Sequence, residues 1–272
     1  MDIYNSHTHT SASPDCTAPI EDMCRAAYQA GFLGLTITDH CCGSVPTRDE
    51  SFDVVDKSFA DALRMQKLYE GKMEILRGVE LDEMFWHPEF TQSIINAYPF
   101  DVVLASVHKV SGAKDQRYFS AIDFSTYTID AIFEYAKLYF DDVLKTAETA
   151  DFDVLSHLTV LFRYITGKYK IEFDLSAFYP IIDKILKVII NRDKALEVNS
   201  SSCDALGLMP DEDILKRYLS LGGTKVTLGT DAHTPDSISA GIDTAVSTLK
   251  KLGFDSYYYY KNRKPTRVKL EE

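Results

Sequence analysis

The sequence predicts an α/β fold in which parallel strands alternate with helices and close, or nearly close, into a barrel. Short apolar runs alternate along the chain with longer segments of helical periodicity. Strands that alternate with helices form βα units and a parallel sheet. Seven such units in 272 residues suit a barrel. An open doubly wound sheet is the alternative that this pattern leaves.

The strand candidates are short runs rich in apolar residues, and they cover residues 3–7, 33–38, 74–79, 102–106, 152–156, 195–199 and 225–229. The helix candidates have apolar residues three and four positions apart, and they cover residues 19–30, 59–69, 128–147, 179–191, 211–221 and 238–252. Residues 111–127 are polar and aromatic without a clear period, which indicates a long βα loop that either covers a site or forms a surface excursion. No linker or internal repeat interrupts this order, so we expect one domain over residues 1–272.

Composition narrows the class of protein. The 41 acidic residues exceed the 29 Lys and Arg residues, and the formal charge of -12 argues against a nucleic-acid or anionic-membrane partner. No basic and apolar leader opens the sequence and no run is long enough to cross a bilayer, so we expect a cytoplasmic protein. The cysteine count is odd, without CxxC spacing, which fits a reducing compartment; the cysteines are Cys16, Cys24, Cys41, Cys42 and Cys203. The oligomeric state is left open.

Histidine carries the strongest functional signal. The chain has seven histidines, and six of them lie at or just beyond the end of a predicted strand. His7 and His9 are two positions apart, so on extended backbone both side chains project to one face. The other strand ends carry further ligand types, namely His40, Glu80, His108, His157, Asp231 and His233. The strand ends of a parallel barrel open onto one rim, so these side chains are expected to converge.

Such a set points to a multinuclear metal site. Imidazole and carboxylate groups suit Zn, Mn or Fe(II), and a carboxylate can bridge two ions. Two ions about 3.5–4 Å apart can deprotonate a shared water and stabilise a phosphoryl displacement. We therefore expect two or three divalent ions and a phosphate substrate. One strand-end histidine by itself is more often structural, and a metal-free barrel is the alternative if all of them are.

Several neighbouring residues have weaker assignments. Asp15 is a conditional ligand, because its loop must fold back onto the rim. Asp39 is expected to point away from His40 and to cap a turn or orient a neighbour. His87 lies outside the pattern, as a loop or helix-start residue. The thiols of Cys41 and Cys42 are close enough to a metal site to act as competing ligands or oxidation-sensitive groups.

The motifs HTHT, TDH, GVELDE, SVHK, LSHL and TLGTDAHTP, in this order, resemble the polymerase and histidinol phosphatase (PHP) superfamily. The segments YPFDVVLASVHKV, DFDVLSHLTVLFRY and GFDSYYYYKNRKP are similar to its stand-alone histidinol-phosphate phosphatases. The resemblance covers nearly the whole chain. It implies a distorted (β/α)7 barrel with a trinuclear metal site at the C-terminal rim of the strands.

Motif by motif, the resemblance assigns ligands to three ions. The first ion takes His7, His9, Glu80 and Asp231. Glu80 bridges to a second ion, which also takes His108 and His157. The third ion takes Asp15, His40 and His233. The attacking hydroxide is implied to lie between the ions, held by Glu80, Asp231 and His233.

The resemblance implies a metal-dependent phosphomonoesterase that hydrolyses L-histidinol phosphate in histidine biosynthesis. Arg163 matches a basic residue that binds phosphate in the family. The family's next phosphate-binding arginine has no counterpart, since Asp204 stands where a basic residue is expected. Possible replacement cations are Lys109, Lys114, Arg117 and Lys168. This departure leaves two alternatives, a phosphoesterase for another small ester and a non-catalytic or nucleic-acid-processing module; the -12 charge argues against the second.

Overall fold

Seven parallel strand positions form the centre of the structure, as the sequence predicts. The computed structural model describes residues 2–45, 48–114, 116–204 and 206–270, with the side chains of residues 48–50 left out. The first and last residues of the predicted domain, 1, 271 and 272, lie outside the described residues. The strands are β1 (Tyr4–Asn5), β2 (Gly34–Ile37), β3 (His40–Cys42), β4 (Glu74–Asp82), β5 (Val102–Ser106), β6 (Val154–Leu155), β7 (Ala195–Asn199), β8 (Val226–Gly229), β9 (Ser256–Lys261) and β10 (Lys264–Lys269).

The parallel sheet has the strand order β1-β2-β4-β5-β6-β7-β8. Strands β2 and β3 act as one interrupted strand, because β2 pairs with the first part of β4 and β3 pairs with its last part. The sheet curls until its two end strands meet. The amide of Ser6 donates to the carbonyl of Leu228 at 2.8 Å, and a parallel bridge joins Thr8 to Ala232. The result is a nearly closed barrel rather than an open doubly wound sheet.

Helices surround the barrel: α1 (Ile20–Gln29), α2 (Arg48–Leu68), α3 (Pro88–Ala97), α4 (Ile129–Thr149), α5 (Tyr179–Asn191), α6 (Glu212–Ser220) and α7 (Ile242–Leu252). Side-chain caps set two of their starts: Thr128 accepts from the amide of Ala131 at 3.2 Å, and Asp211 accepts from that of Ile214 at 2.9 Å. Helix α2 begins well before the predicted residue 59. Helix α3 was not predicted, although Pro88 at its first position is a known start signal. His87 occupies the N-cap position without a side-chain hydrogen bond to the helix, in agreement with the helix-start interpretation.

The C-terminal hairpin closes the end of the barrel where the strands begin, called the base here. Strands β9 and β10 pair antiparallel around a two-residue turn at Asn262 and Arg263, both with positive φ. The hydroxyl of Tyr257 donates to the carbonyl of Asp2 at 2.6 Å and accepts from the amide of Tyr4 at 3.0 Å. The tyrosine run 257–260 is therefore part of a structural strand.

The opposite end, where the strands finish, is called the rim. The predicted long loop, residues 111–127, is called the cover segment; its described residues, 111–114 and 116–127, lie between β5 and α4, with short 3-10 turns at Phe119–Ala121 and Phe124–Thr126. Phe119 and Phe124 are buried and anchor this loop to the barrel. Within the described part of the chain, no helix combines the length and apolar character needed to span a bilayer.

Candidate metal centre

The barrel brings all nine predicted ligands to its rim. His7 and His9 follow β1, His108 and His157 each lie two residues beyond a strand, and Asp231 and His233 follow β8. The register of β3 against β4 sets His40 directly beside Glu80. Asp15 reaches the rim because its loop folds back, so that its carboxylate lies 3.1 Å from His233 Nε2. The condition attached to Asp15 is met.

Four of these residues surround one point beneath the rim. His7 Nε2 and His9 Nε2 lie 3.1 Å apart, although neither ring can donate to the other if both lone pairs face inward. Glu80 Oε2 is 3.3 and 3.4 Å from these two nitrogens. Asp231 Oδ1 is 3.1 Å from His9 Nε2 and 3.7 Å from His7 Nε2. Asp231 has φ 50°, a left-handed conformation that Asp tolerates better than most residues.

A second group gathers around the other oxygen of Glu80. His157 Nε2 lies 2.9 Å from Glu80 Oε1, and His108 Nε2 lies 3.6 Å from the same oxygen. The two Nε2 atoms are 3.3 Å apart. Glu80 thus faces two groups of imidazoles, one with each carboxylate oxygen, which is the arrangement that a bridging carboxylate requires.

The third group lies nearer the solvent. Asp15 Oδ2 is 3.1 Å from His233 Nε2 and 3.4 Å from His40 Nε2. The rings of His9 and His233 stack with centroids 4.2 Å apart. The nitrogen and oxygen atoms of His9, Asp15, His40 and His233 can all be brought to one ion.

The spacing within these groups suits divalent cations. Zinc binds nitrogen and oxygen at about 2.0–2.2 Å in a tetrahedron, which places two ligand atoms roughly 3.3–3.5 Å apart. The separations above scatter around that value. In addition, Glu80 Oε2 is fully buried without a hydrogen-bond partner among the described residues, although His40 Nδ1 is only 2.9 Å away. A buried carboxylate oxygen in this state is what a missing cation would leave.

The close packing of imidazoles and carboxylates shifts the pKa values of both kinds of group. Burial lowers the pKa of His7, but the carboxylates of Glu197, Glu80 and Asp231 outweigh it and hold that pKa well above its usual value. Burial raises the pKa of Glu80, but His40, His7 and His108 hold it well below its usual range. Burial and the neighbouring His40 lower the pKa of His9 to about 4. These pKa shifts favour a charged carboxylate at Glu80 and a neutral imidazole at His9.

Glu197 is a buried residue of this centre that the sequence analysis missed. Its Oε1 lies 2.6 Å from His7 Nδ1, and its Oε2 accepts from the amide of His157 at 2.7 Å. A carboxylate only accepts, so Nδ1 of His7 carries a proton, and in the neutral ring that could bind a cation Nε2 keeps its lone pair toward the centre. A Cβ atom on Gly229 would collide with this carboxylate, which explains the glycine at the end of β8.

Two further carboxylates support the centre from outside. Asp82 Oδ1 lies 3.1 Å from His108 Nδ1 and 3.4 Å from His40 Nδ1, so it belongs to the centre although only Glu80 was predicted from GVELDE. Asp39 accepts from the amide of Thr10 at 2.6 Å and from the hydroxyl of Ser58 at 2.6 Å. It therefore orients the loop that carries His9, in the positioning role that was expected of it.

A cavity of about 620 Å³ opens over the centre, within the range of small-molecule sites. Its walls include the ligands Asp15, His40, His108, Asp231 and His233. Arg163 also lines it and donates to Asp231 Oδ2 at 2.8 Å. Arg163 therefore points into the cavity and does not form a salt bridge on the outer surface. The cover segment contributes Tyr118, Phe119 and Ser120, so the loop does cover the site.

The structure separates the residues with weaker assignments by their position: Asp204 lies away from the cavity wall, and Cys42 is part of it. Asp204, where a basic residue was expected, is exposed and is not among the described residues that line the cavity. All five cysteines, each among the described residues, carry free thiols. Burial raises the pKa of Cys41 to about 12, which disfavours the thiolate that a metal ligand needs. Cys41 and Cys42 both line the cavity.

Comparison with known proteins agrees with this architecture. The chain is 30% identical over 258 residues to the histidinol-phosphatase of Lactococcus lactis, covering 92% of this chain and 91% of that protein. It is 28% identical over 264 residues to a protein of Clostridium acetobutylicum named "Probable histidinol-phosphatase", covering 95% and 97% of the two chains.

Among solved structures, the fold is similar to that of the Lactococcus lactis histidinol phosphate phosphatase, which was solved with zinc, L-histidinol and phosphate. The TM-score is 0.74 at 23% identity, and the match covers 97% of this chain and 98% of that one. The model of the family described as "PHP domain" matches residues 5–201. The chain therefore belongs to the PHP domain family.

Proposed function

We propose that this protein is a metal-dependent phosphomonoesterase that hydrolyses L-histidinol phosphate to L-histidinol and phosphate. The observation that carries the proposal is the surroundings of Glu80. Its two oxygens face two sets of imidazole nitrogens at 2.9–3.6 Å, and one of these oxygens has no hydrogen-bond partner among the described residues. This arrangement fits a carboxylate shared between divalent cations.

The proposed ligands form three sets that share Glu80. His7, His9 and Asp231 complete the first set, His108 and His157 the second, and Asp15, His40 and His233 the third. Zinc is present in the Lactococcus lactis structure, and imidazole with carboxylate also suits manganese or iron. When bound, such cations supply Lewis-acid activation of a water molecule and neutralise charge on the phosphoryl group.

The chain's own residues prepare this chemistry. Glu197 and Asp82 hold protons on the Nδ1 atoms of His7 and His108, so that each Nε2 lone pair faces the centre. Arg163 lies at the cavity wall with its guanidinium already oriented by Asp231 and by Ser202 Oγ at 2.9 Å. A guanidinium in this position suits bidentate contact with phosphoryl oxygens. The cover segment keeps bulk water from one side of the cavity.

The substrate is inferred from the relatives. Two proteins named as histidinol-phosphatases align with this chain over more than nine-tenths of their length. The cavity volume of about 620 Å³ accommodates a molecule of this size. The proposal places the enzyme in histidine biosynthesis and in the cytoplasm.

The test is phosphate release from a panel of phosphomonoesters by metal-stripped protein reloaded separately with Zn, Mn and Fe(II). We expect no turnover by the stripped protein, restoration by at least one of the metals, and a clear preference for L-histidinol phosphate. Metal-independent turnover would contradict the metal centre. Metal-dependent turnover that favours another ester would keep the chemistry and change the substrate, in line with the Asp204 departure.

A further inference from the structure

The cavity contains a second basic side chain, and this side chain forms no ion pair among the described residues. Among the described residues that line the cavity, Lys109 and Arg163 are the only lysine or arginine. Arg163 is paired with Asp231 at 2.8 Å. Lys109 is 8% exposed, and no carboxylate of the described residues lies within 4.0 Å of its Nζ. A charge this far removed from water normally has a paired partner, so an anion is expected beside it.

The ammonium group of Lys109 is held in place by neutral groups. Its Nζ donates to Ser44 Oγ at 2.8 Å and lies 3.7 Å from Cys42 Sγ. The ring of Tyr118, from the cover segment, stacks against the ammonium with a distance of 4.0 Å to the ring centroid. These contacts orient the charge but do not neutralise it.

The backbone of Lys109 is fixed independently. Glu83 is fully buried and has φ 46°, a conformation that is uncommon for Glu. Its Oε1 accepts from the amides of His108 at 2.7 Å and Lys109 at 2.9 Å. One carboxylate therefore positions both the imidazole of His108 at the centre and the side chain of Lys109 at the cavity wall.

We propose that Lys109 donates to a phosphoryl oxygen of the bound ester and is the second cation of the phosphate subsite. This inference rests on the proposed function. L-Histidinol itself carries an amine and an imidazole, so the phosphate is the one anionic part of that substrate. Lys109 would take the place of the basic residue that is absent at Asp204. The ligand class is a phosphate monoester dianion, and inorganic phosphate is the simplest member that tests it.

The experiment compares Lys109→Met with Lys109→Arg and with Lys114→Met, in metal-loaded protein. Lys114 is an exposed lysine of the cover segment that is not among the cavity-lining residues, so its replacement removes the same charge elsewhere. The measurement is the inhibition constant of inorganic phosphate against whichever monoester the wild type hydrolyses, with metal content measured on the same samples. We expect Lys109→Met to weaken phosphate inhibition about 10- to 100-fold, since a hydrogen bond from a charged donor is lost. Lys109→Arg is expected to keep most of the affinity, and Lys114→Met all of it.

Unchanged phosphate inhibition in Lys109→Met with full metal content would overturn the inference. Loss of metal in both Lys109→Met and Lys109→Arg would also overturn it, because Lys109 would then support the centre rather than the substrate. A measurement on the wild type avoids any folding defect: inorganic phosphate is expected to slow acetylation of Lys109, read by mass spectrometry, but not that of Lys114. Equal rates with and without phosphate would reject the subsite.

The experiments distinguish a failure of the substrate assignment from a failure of the role proposed for Lys109. If the wild type hydrolyses other monoesters but not L-histidinol phosphate, the substrate assignment fails. The phosphate measurement still tests Lys109, because inorganic phosphate is a product of every phosphomonoesterase.

Discussion

Buried carboxylates occur at both ends of the barrel, but their partners differ. At the base, Asp101 accepts from the amides of Arg77 and Asn262 at 2.9 and 3.0 Å. Asp153 accepts from the amide of Val103 at 2.8 Å and pairs with Arg263 at 2.5 Å. At the rim, both oxygens of Glu80 face imidazole nitrogens, Oε1 also accepts from the hydroxyl of Ser106, and Oε2 has no hydrogen-bond partner among the described residues.

The carboxylates at the base therefore stabilise the fold, whereas those at the rim are suited to binding cations. Carboxylates at the base are matched by amides and arginines of the chain itself, so that end needs nothing more. The rim leaves its charge balance to protonated histidines or to bound cations. Substitutions at the base are therefore expected to change the free energy of unfolding, and substitutions at the rim to change metal content and activity.

The largest expected effect is that of Glu80→Gln. The amide cannot bridge two cations, so we expect activity to fall more than about 100-fold, beyond the loss caused by an outer partner, together with loss of metal. The matched control is Glu74→Gln at the other end of β4, where the carboxylate pairs with Lys261 at 2.5 Å. Elemental analysis and initial rates measure both. Activity of Glu80→Gln within a few-fold of the wild type would remove Glu80 from the mechanism.

A smaller effect at the rim is expected for Glu197→Gln. The carboxylate accepts hydrogen bonds at both oxygens, from His7 and from the amide of His157, and an amide can accept at only one of them. We expect metal affinity to fall about 10- to 100-fold, as for other outer-shell partners. Competition with a chelating dye measures it. The control Asp153→Asn at the base should lower the free energy of unfolding and leave metal affinity unchanged. Weaker metal binding by this control, with unchanged stability, would show that the base also affects the metal centre.

At the base, Arg263→Met leaves Asp153 without its charged partner. The Asp153 side chain is 7% exposed, so we expect a loss of about 2 kcal/mol in the free energy of unfolding, and a fall in Tm of roughly 4–8 °C. Arg267→Met in the same hairpin removes an exposed pair with Asp255 and should cost less than about 0.5 kcal/mol. Thermal and urea unfolding measure both. A change in kcat of the Arg263 variant would break the separation between the ends.

The smallest effect is expected for Tyr259→Leu. The rings of Tyr4 and Tyr259 stack with centroids 3.8 Å apart at the edge of the hairpin. Losing this stacking should cost about 1 kcal/mol in the free energy of unfolding. Urea unfolding is the measurement, with metal content and initial rates expected to match the wild type. A larger loss, or any loss of metal, would mean that the hairpin also shapes the rim.

Much of the fold was predictable because its signals are local. The alternation of apolar runs with helical periods predicted the seven strand positions, and three predicted ranges, 102–106, 179–191 and 195–199, match observed elements at both ends. Helix α3 and the interruption between β2 and β3 were missed. Both lie in short segments where the periodic signal is weak, and tertiary contacts decide such boundaries.

The candidate site was likewise predictable in part: its ligands could be named from the sequence, but their partners could not. Residue type and position at strand ends pointed to eight candidate ligands, because the strand ends of a parallel barrel must meet, and Asp15 was a conditional ninth. The partners of those ligands could not be predicted. Glu197 reaches His7 across 190 positions of sequence, and Asp231 joins His9 only because β8 closes onto β1.

By itself, the sequence determined which side chains can bind a cation, which strands carry them, and that these side chains share one rim. Only the tertiary structure decided which carboxylate faces which imidazole, that Glu80 stands between two groups, and that Lys109 rather than Lys114, Arg117 or Lys168 lines the cavity. The physical reason is that residue type and strand phase are properties of a few neighbouring residues. Contact distances depend on the register and closure of the whole sheet, which no local pattern encodes.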